Sequence, residues 1–87
     1  MKSYLKVYFV YFGYGEDDFV PCEICKSRAN DIHHILNRSH RKDLLNEITN
    51  IMALCRKCHE KFGDKKQHIE FLKLKHQQFM ENHGKKT

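Results

Sequence analysis

The hydrophobic positions of this chain fall into short runs separated by polar segments, with one longer periodic stretch near the end. Residues 4–12 are mostly aromatic or β-branched, which predicts a strand. Because this run shows no clear two-residue alternation of polarity, a short helix is the alternative. Two more short strands are predicted at residues 32–36 and 50–54. The polar and basic stretch between them, residues 37–47, is predicted to be a loop with room for one helical turn.

The last third of the chain has the pattern of helices. The first should start within or just after residues 55–59, and Gly63 should break it. Asp64 and Gln67 resemble a capping box, so a second helix is expected over about 64–83. Its apolar residues recur at helical spacing. They are Ile69, Leu72, Phe79 and Met80.

The length of 87 residues predicts one domain, 1–87, with a thin core, because so short a chain buries only about 60% of its unfolded surface. An additional staple is therefore expected. The net charge of +5 favours an anionic partner, although many basic surfaces are only solvated. The apolar N-terminal run is short and interrupted by Lys6, so neither a signal peptide nor a membrane span is expected. A cytoplasmic location, with reduced thiols, is the expectation.

The four cysteines form two CxxC pairs, which are a strong metal-binding signal. A CxxC turn presents two sulfurs to one point, and two such turns complete a tetrahedral thiolate cage. The alternatives are a redox CxxC, which usually needs one pair in a βαβ setting, and buried free thiols. We therefore predict a structural zinc ion. Its ligands would be Cys22, Cys25, Cys55 and Cys58.

A closed four-sulfur site has no open position for chemistry, which must come from other residues. His33 and His34 stand at the end of a predicted strand, where both side chains could reach one cleft. His59 follows Cys58 directly, so the zinc site would fix where it points. Adjacent histidines in a basic protein are more often plain surface residues, and each one alone is a weak signal.

The ordered set is more specific. The segments CEIC at 22–25, DIHHI at 31–35 and NIMALCRKCH at 50–59 resemble the zinc-stapled HNH (ββα-metal) endonucleases, over residues 22 to about 62. The resemblance implies a small α+β fold: a ββα-metal module with a four-cysteine zinc site, preceded by an N-terminal strand or short helix and followed by a C-terminal amphipathic helix. It also implies metal-dependent hydrolysis of DNA that leaves 5′-phosphate and 3′-hydroxyl ends.

Carried over by position, the resemblance gives His34 the role of general base. His33 and His59 would hold one divalent ion, and Asn50 would hold the loop across the hairpin and help to orient His34. Many family members have Asp where His33 stands. Because two imidazoles make a softer site, we expect Mn²⁺, Co²⁺, Ni²⁺ or Zn²⁺ to bind at least as well as Mg²⁺. Asp31 is also a candidate hydrogen-bond partner of the metal-binding residues, a role that the sequence leaves open.

Basic residues bracket the expected site and suit phosphate contacts with weak sequence specificity. They are Arg38, Arg41, Lys42, Arg56, Lys57 and Lys61. His40, His68, His76 and His83 lack the register of the motif. Of these, His76 lies within the apolar stripe and is expected to be packed.

The sequence also leaves two other functions open. One is a non-catalytic zinc-ribbon module that binds nucleic acid or protein, which has no need of the histidine and asparagine set. The other is a component of a larger phage-type packaging or repair machine, an expectation from family analogy alone. A homodimer, formed by the N-terminal segment pairing as an edge strand with a second copy, is also open.

Overall fold

The computed structural model describes residues 2–37, 39 and 41–84. Two antiparallel strands, β1 (Asp31–His34) and β2 (Ile51–Leu54), are paired with Asp31 opposite Leu54 and His34 opposite Ile51. The helices are α1 (Ser3–Phe12), α2 (Arg56–Phe62) and α3 (Ile69–Phe79). Short 3₁₀ turns occur at Lys42–Leu44, Ile48–Asn50 and Lys66–His68, and α3 continues as a π-helical end, Met80–Gly84. The predicted α+β arrangement with a C-terminal helix is confirmed.

The strand predicted at residues 4–12 is wrong, and the alternative, a helix, is what forms. Tyr8 and Phe12 stand four residues apart and are both buried, so one helical face enters the core. The helix ends at Gly13, whose φ of 74° is left-handed, and Tyr14 N–H donates to the Phe9 carbonyl at 2.8 Å. This is a Schellman cap, a motif that favours glycine because a left-handed backbone is strained for most residues with a Cβ. Because the segment is helical, it does not form the edge strand suggested for a homodimer.

Strand β2 is buried on both faces, which explains its uniformly apolar sequence. On one face, Met52 and Leu54 pack with three of the cysteines and with Leu72 of α3. On the other face, Ile51 and Ala53 pack with α1 and with the end of α3. Two small clusters therefore share one strand, and α1 closes the face that a bare hairpin would leave open.

The helix after the second cysteine pair begins at Arg56 and ends before Gly63, as predicted. The capping box predicted from Asp64 and Gln67 is wrong. Asp64 has a φ of 57°, whereas an N-cap residue needs extended backbone, and α3 begins only at Ile69 after a 3₁₀ turn. The residues of its apolar stripe do face the core, with Leu72 and Phe79 buried.

His76 is packed in the interior, as expected, and it joins a buried polar network. Its Nδ1 lies 2.6 Å from Glu23 Oε1 and its Nε2 lies 2.6 Å from the Ile48 carbonyl. The second oxygen of Glu23 accepts hydrogen bonds from the Tyr8 hydroxyl and from the Ala53 N–H. The network therefore ties α1, the first cysteine pair, β2 and α3 together.

None of the helices in the described residues has the length and apolar character needed to cross a bilayer.

Candidate metal centre

The four cysteine sulfurs converge on one point, as the two CxxC pairs predict. Their sulfur atoms all lie within 4.8 Å of one another, and Cys25 and Cys55 are 3.6 Å apart at sulfur. A tetrahedral site with Zn–S bonds near 2.3 Å requires sulfur separations of about 3.8 Å. A disulfide would instead need about 2.05 Å. The cluster therefore fits a structural zinc site.

Local backbone geometry holds each cysteine pair in place. Cys22 N–H donates to the Ser27 carbonyl at 2.6 Å, and Cys55 is the N-cap residue of α2, where its sulfur accepts from Cys58 N–H. Hydrogen bonding to Ser27 lowers the pKa of the Cys25 thiol to about 6. A thiol that ionises this readily is suited to bind a metal ion as a thiolate.

A second cluster of metal-ligating groups is formed by β1, α2 and the turn after α2. Ligand atoms of His33, His59 and Asp64 all lie within 4.8 Å of one another. They share a cleft of about 200 Å³. Its lining residues are Tyr4, Ile32, His33, His34, Asn37, His59 and Asp64. The structure thus brings the three motif histidines to one cleft, although His33 and His34 are neighbours on one strand.

His33 is buried, with 4% of its surface exposed. Among the described residues its Nε2 has no hydrogen-bond partner, which is unusual because buried polar atoms are nearly always paired. Burial and the neighbouring His59 lower the pKa of His33 to about 4. The ring is therefore neutral at ordinary pH, and its unpaired nitrogen in a cleft with two other metal-ligating groups is what a metal ligand requires.

His59 is aimed by two features of its surroundings. Its Nδ1 donates to Asp31 Oδ2 at 3.0 Å, which leaves the lone pair on Nε2. Its ring lies against Gly63, where a Cβ would stand 2.4 Å from His59 Cδ2 and 2.6 Å from its carbonyl oxygen. Only glycine fits there while the ring keeps this position. Arg56 Nε also donates to Asp31 Oδ2, at 3.2 Å.

His34 is buried at the end of β1 and contacts two other parts of the chain. Its Nε2 lies 3.0 Å from the Leu45 carbonyl, which can only accept, so Nε2 carries the proton and Nδ1 the lone pair in the neutral ring. The Tyr4 ring of α1 packs edge-on against the imidazole, with ring centroids 4.6 Å apart. The N-terminal helix therefore forms one wall of the cleft.

Asn50 clamps the start of the long loop through its side-chain amide. Its Oδ1 accepts from Leu36 N–H at 2.8 Å, and its Nδ2 donates to the Leu36 carbonyl at 3.2 Å. The backbone carbonyl of Asn50 also accepts from Ile35 N–H at 2.8 Å. These three bonds fix the turn immediately after His34, so Asn50 acts on the position of that imidazole through the loop backbone.

The basic residues predicted to contact DNA occupy different settings. Arg41 is exposed and forms an ion pair with Asp43 at 2.9 Å, and Arg56 pairs with Asp31 beside His59. Lys42, Lys57 and Lys61 are exposed. Arg38 and His40 lie outside the described residues. Arg56 is therefore as well placed to hold Asp31 as to contact phosphate.

Sequence reasoning missed Asp64 as a site residue and assigned it to a helix cap. A local signal existed, since Asp after Gly beyond the last motif histidine suits a tight left-handed turn. Tyr4 was also missed, because residues 4–12 were assigned to a strand. Nothing local to Glu23 indicates that it would be buried against His76, 53 residues further along the chain.

Comparison with known proteins agrees with this geometry. The family model for HNH endonucleases matches residues 22–65, half of the chain, from the first cysteine to just past α2. The matched segment holds both cysteine pairs, the hairpin and His59. The chain belongs to the HNH endonuclease family, and its nuclease-type fold carries a cysteine cluster suited to zinc. The searches of curated proteins and of solved structures found no match.

Proposed function

We propose that this protein is a metal-dependent endonuclease that hydrolyses phosphodiester bonds in DNA. One observation carries the proposal: the buried Nε2 of His33, which has no hydrogen-bond partner within the described ranges, lies in the same cleft as His59 and His34. A module that only bound DNA would have no need for this costly arrangement. The family match supports the same class of reaction.

His33 and His59 would hold one divalent ion, His33 through its orphaned Nε2 and His59 through the Nε2 that the bond to Asp31 leaves available. When bound, such an ion supplies a positive charge that neutralises the scissile phosphate and the leaving 3′ oxygen. Two imidazole ligands favour Mn²⁺, Co²⁺, Ni²⁺ and Zn²⁺ at least as much as Mg²⁺. The ion held by the four cysteines would have a structural role only.

His34 would act as the general base. Its Nε2 donates to the Leu45 carbonyl, so in the neutral ring Nδ1 is the nitrogen that would take a proton from an attacking water molecule. The Tyr4 ring limits rotation of the imidazole. Asn50 is a positioning residue, since it holds the turn after His34 through Leu36.

The exposed basic side chains around the cleft would contact the DNA backbone and not base edges. Lys42, Lys57 and Lys61 are proposed for this role, together with Arg41 once its ion pair with Asp43 is exchanged for phosphate. Contacts to phosphate alone give weak sequence specificity and a strong dependence on salt.

Plasmid nicking tests the proposal. Zinc-loaded protein is incubated with supercoiled plasmid and Mn²⁺, Ni²⁺ or Mg²⁺, and the parent is compared with His34→Ala. We expect the variant to lose about 100-fold or more of the nicking rate, while it keeps its zinc and stays folded at the assay temperature. His83→Ala, an exposed histidine away from the cleft, is the matched control and should nick like the parent.

Two results would contradict the proposal in different ways. Equal nicking by His34→Ala and the parent would show that another group is the base. A parent protein that binds plasmid but cuts it with none of the three ions would be a non-catalytic zinc-containing binding module.

A further inference from the structure

We propose that Asp64 is a third protein ligand of the catalytic divalent ion, so that the site is a two-histidine, one-carboxylate face. This inference rests on the proposed function and extends it, because the family resemblance assigns only His33 and His59. The three groups come from β1, from α2 and from the turn after α2.

The grouping of donor atoms is the first support. One ligand atom from each of His33, His59 and Asp64 lies within 4.8 Å of the other two, and all three residues line the same cleft. The unpaired His33 Nε2 is enclosed by the protein and independently marks this cluster as a ligand site. Within the described part of the chain, the Asp64 carboxylate is engaged in no hydrogen bond or ion pair that would explain its position.

The backbone of the turn is the second support. Gly63 permits the close approach of the His59 ring, and a Cβ at Gly63 would lie 3.2 Å from His59 Nε2. The ring edge that carries the lone pair therefore faces the turn that leads into Asp64. Asp64 itself adopts a φ of 57°, a conformation that L-residues rarely adopt and that Asp and Asn tolerate best. The turn therefore holds Asp64 in a strained backbone conformation, and it places the carboxylate beside the imidazoles of His33 and His59.

The chemistry of the set decides what Asp64 would change. An exposed carboxylate oxygen is a harder ligand than an imidazole nitrogen, so it raises affinity for Mn²⁺ and Mg²⁺ more than for Ni²⁺ or Zn²⁺. It also adds negative charge that partly offsets the charge of the ion. Asp64 would therefore broaden the range of ions that this site accepts towards the hard cations.

Direct metal binding tests the inference without relying on catalysis. Mn²⁺ is titrated into protein that carries one equivalent of zinc, enough for the four-cysteine site alone, and free Mn²⁺ is measured by its electron paramagnetic resonance signal. Asp64→Asn and Asp64→Gly remove the carboxylate while suiting the left-handed backbone, so neither should disturb the turn. Glu60→Gln removes the same charge from an exposed position next to His59 and is the matched control.

We expect both Asp64 variants to weaken Mn²⁺ binding by about tenfold or more, with Ni²⁺ binding reduced less and Glu60→Gln close to the parent. Unchanged Mn²⁺ affinity in Asp64→Asn and Asp64→Gly, with binding lost in His33→Ala, would overturn the third ligand and leave the proposed nuclease intact. A parent that binds no divalent ion beyond the four-cysteine site would overturn both. An equal loss of Mn²⁺ affinity in Glu60→Gln would show that the Asp64 variants act through general electrostatics. It would refute coordination by Asp64.

Discussion

Replacing Asp31 with alanine removes the group that aims His59 without touching the proposed metal site directly. Asp31 Oδ2 accepts from His59 Nδ1 at 3.0 Å and from Arg56 Nε at 3.2 Å. Without the carboxylate, the His59 proton can move to Nε2 and the partly exposed ring can rotate. Either change would take the lone pair of His59 Nε2 away from the donor atoms of His33 and Asp64.

The expected loss of metal affinity follows from the position of Asp31 as a hydrogen-bond partner of His59. Outer hydrogen-bond partners of metal-bound histidines typically contribute a factor of about 10–100 in metal affinity. That factor corresponds to about 1.4–2.7 kcal/mol of binding free energy. The effect on folding should be smaller, about 1 kcal/mol or less, because the Asp31 side chain is 28% exposed and that of Arg56 is 63% exposed. Metal affinity should therefore fall while the protein stays folded.

The assay pairs Mn²⁺ titration with the nicking rate of the zinc-loaded protein. Asp31→Ala should lower both, whereas Arg56→Ala, which removes the other partner of Asp31 but leaves the bond to His59, should change Mn²⁺ affinity by much less. If Asp31→Ala binds Mn²⁺ like the parent, His59 is held by its place on α2 and by Gly63 alone, and the reasoning about Asp31 is wrong.

Three further results are expected. His76→Leu should cost about 3–5 kcal/mol of unfolding free energy in urea, because it leaves the Glu23 carboxylate buried without its main partner; a loss below about 1 kcal/mol would contradict this. Cys55→Ser should lose zinc and unfold at 25 °C, judged by circular dichroism and zinc content, because a structural zinc contributes about 10–16 kcal/mol; a stable, zinc-free variant would refute the staple. The pKa of His33 falls from 6.5 unfolded to about 4 folded, so the unfolded chain binds more protons between these values and stability should decline as pH falls from about 6.5 towards 4. A His33→Gln variant should lack that part of the decline in melting temperature.

The zinc site and the order of the motif could be predicted because their signals are local. A CxxC turn brings two sulfurs together through its own backbone, and His59 is fixed by following Cys58. The hairpin between the two pairs followed from the apolar runs on either side of a polar loop. Strand ends were less exact: β1 ends at His34 and β2 begins at Ile51, so Asn50 lies in a 3₁₀ turn.

The errors arose where distant contacts decide the structure. Residues 4–12 carry side chains that favour strands, but β2 needs a cover for its second face, and a helix supplies Tyr8 and Phe12 at the right spacing. Asp64 matched a capping pattern, but the close contact between Gly63 and His59 sets the turn and gives Asp64 a backbone that cannot cap.

The sequence by itself determined which functional groups are available: four thiols in two pairs, three motif histidines and an asparagine in a characteristic order. The spacing of these residues carries that information because the members of each motif lie within a few residues of one another. Only the tertiary structure decided that Asp64 joins His33 and His59, and that Glu23 and His76 form a buried pair across the core. Those groups meet only when separate elements pack, so no local pattern encodes their contact.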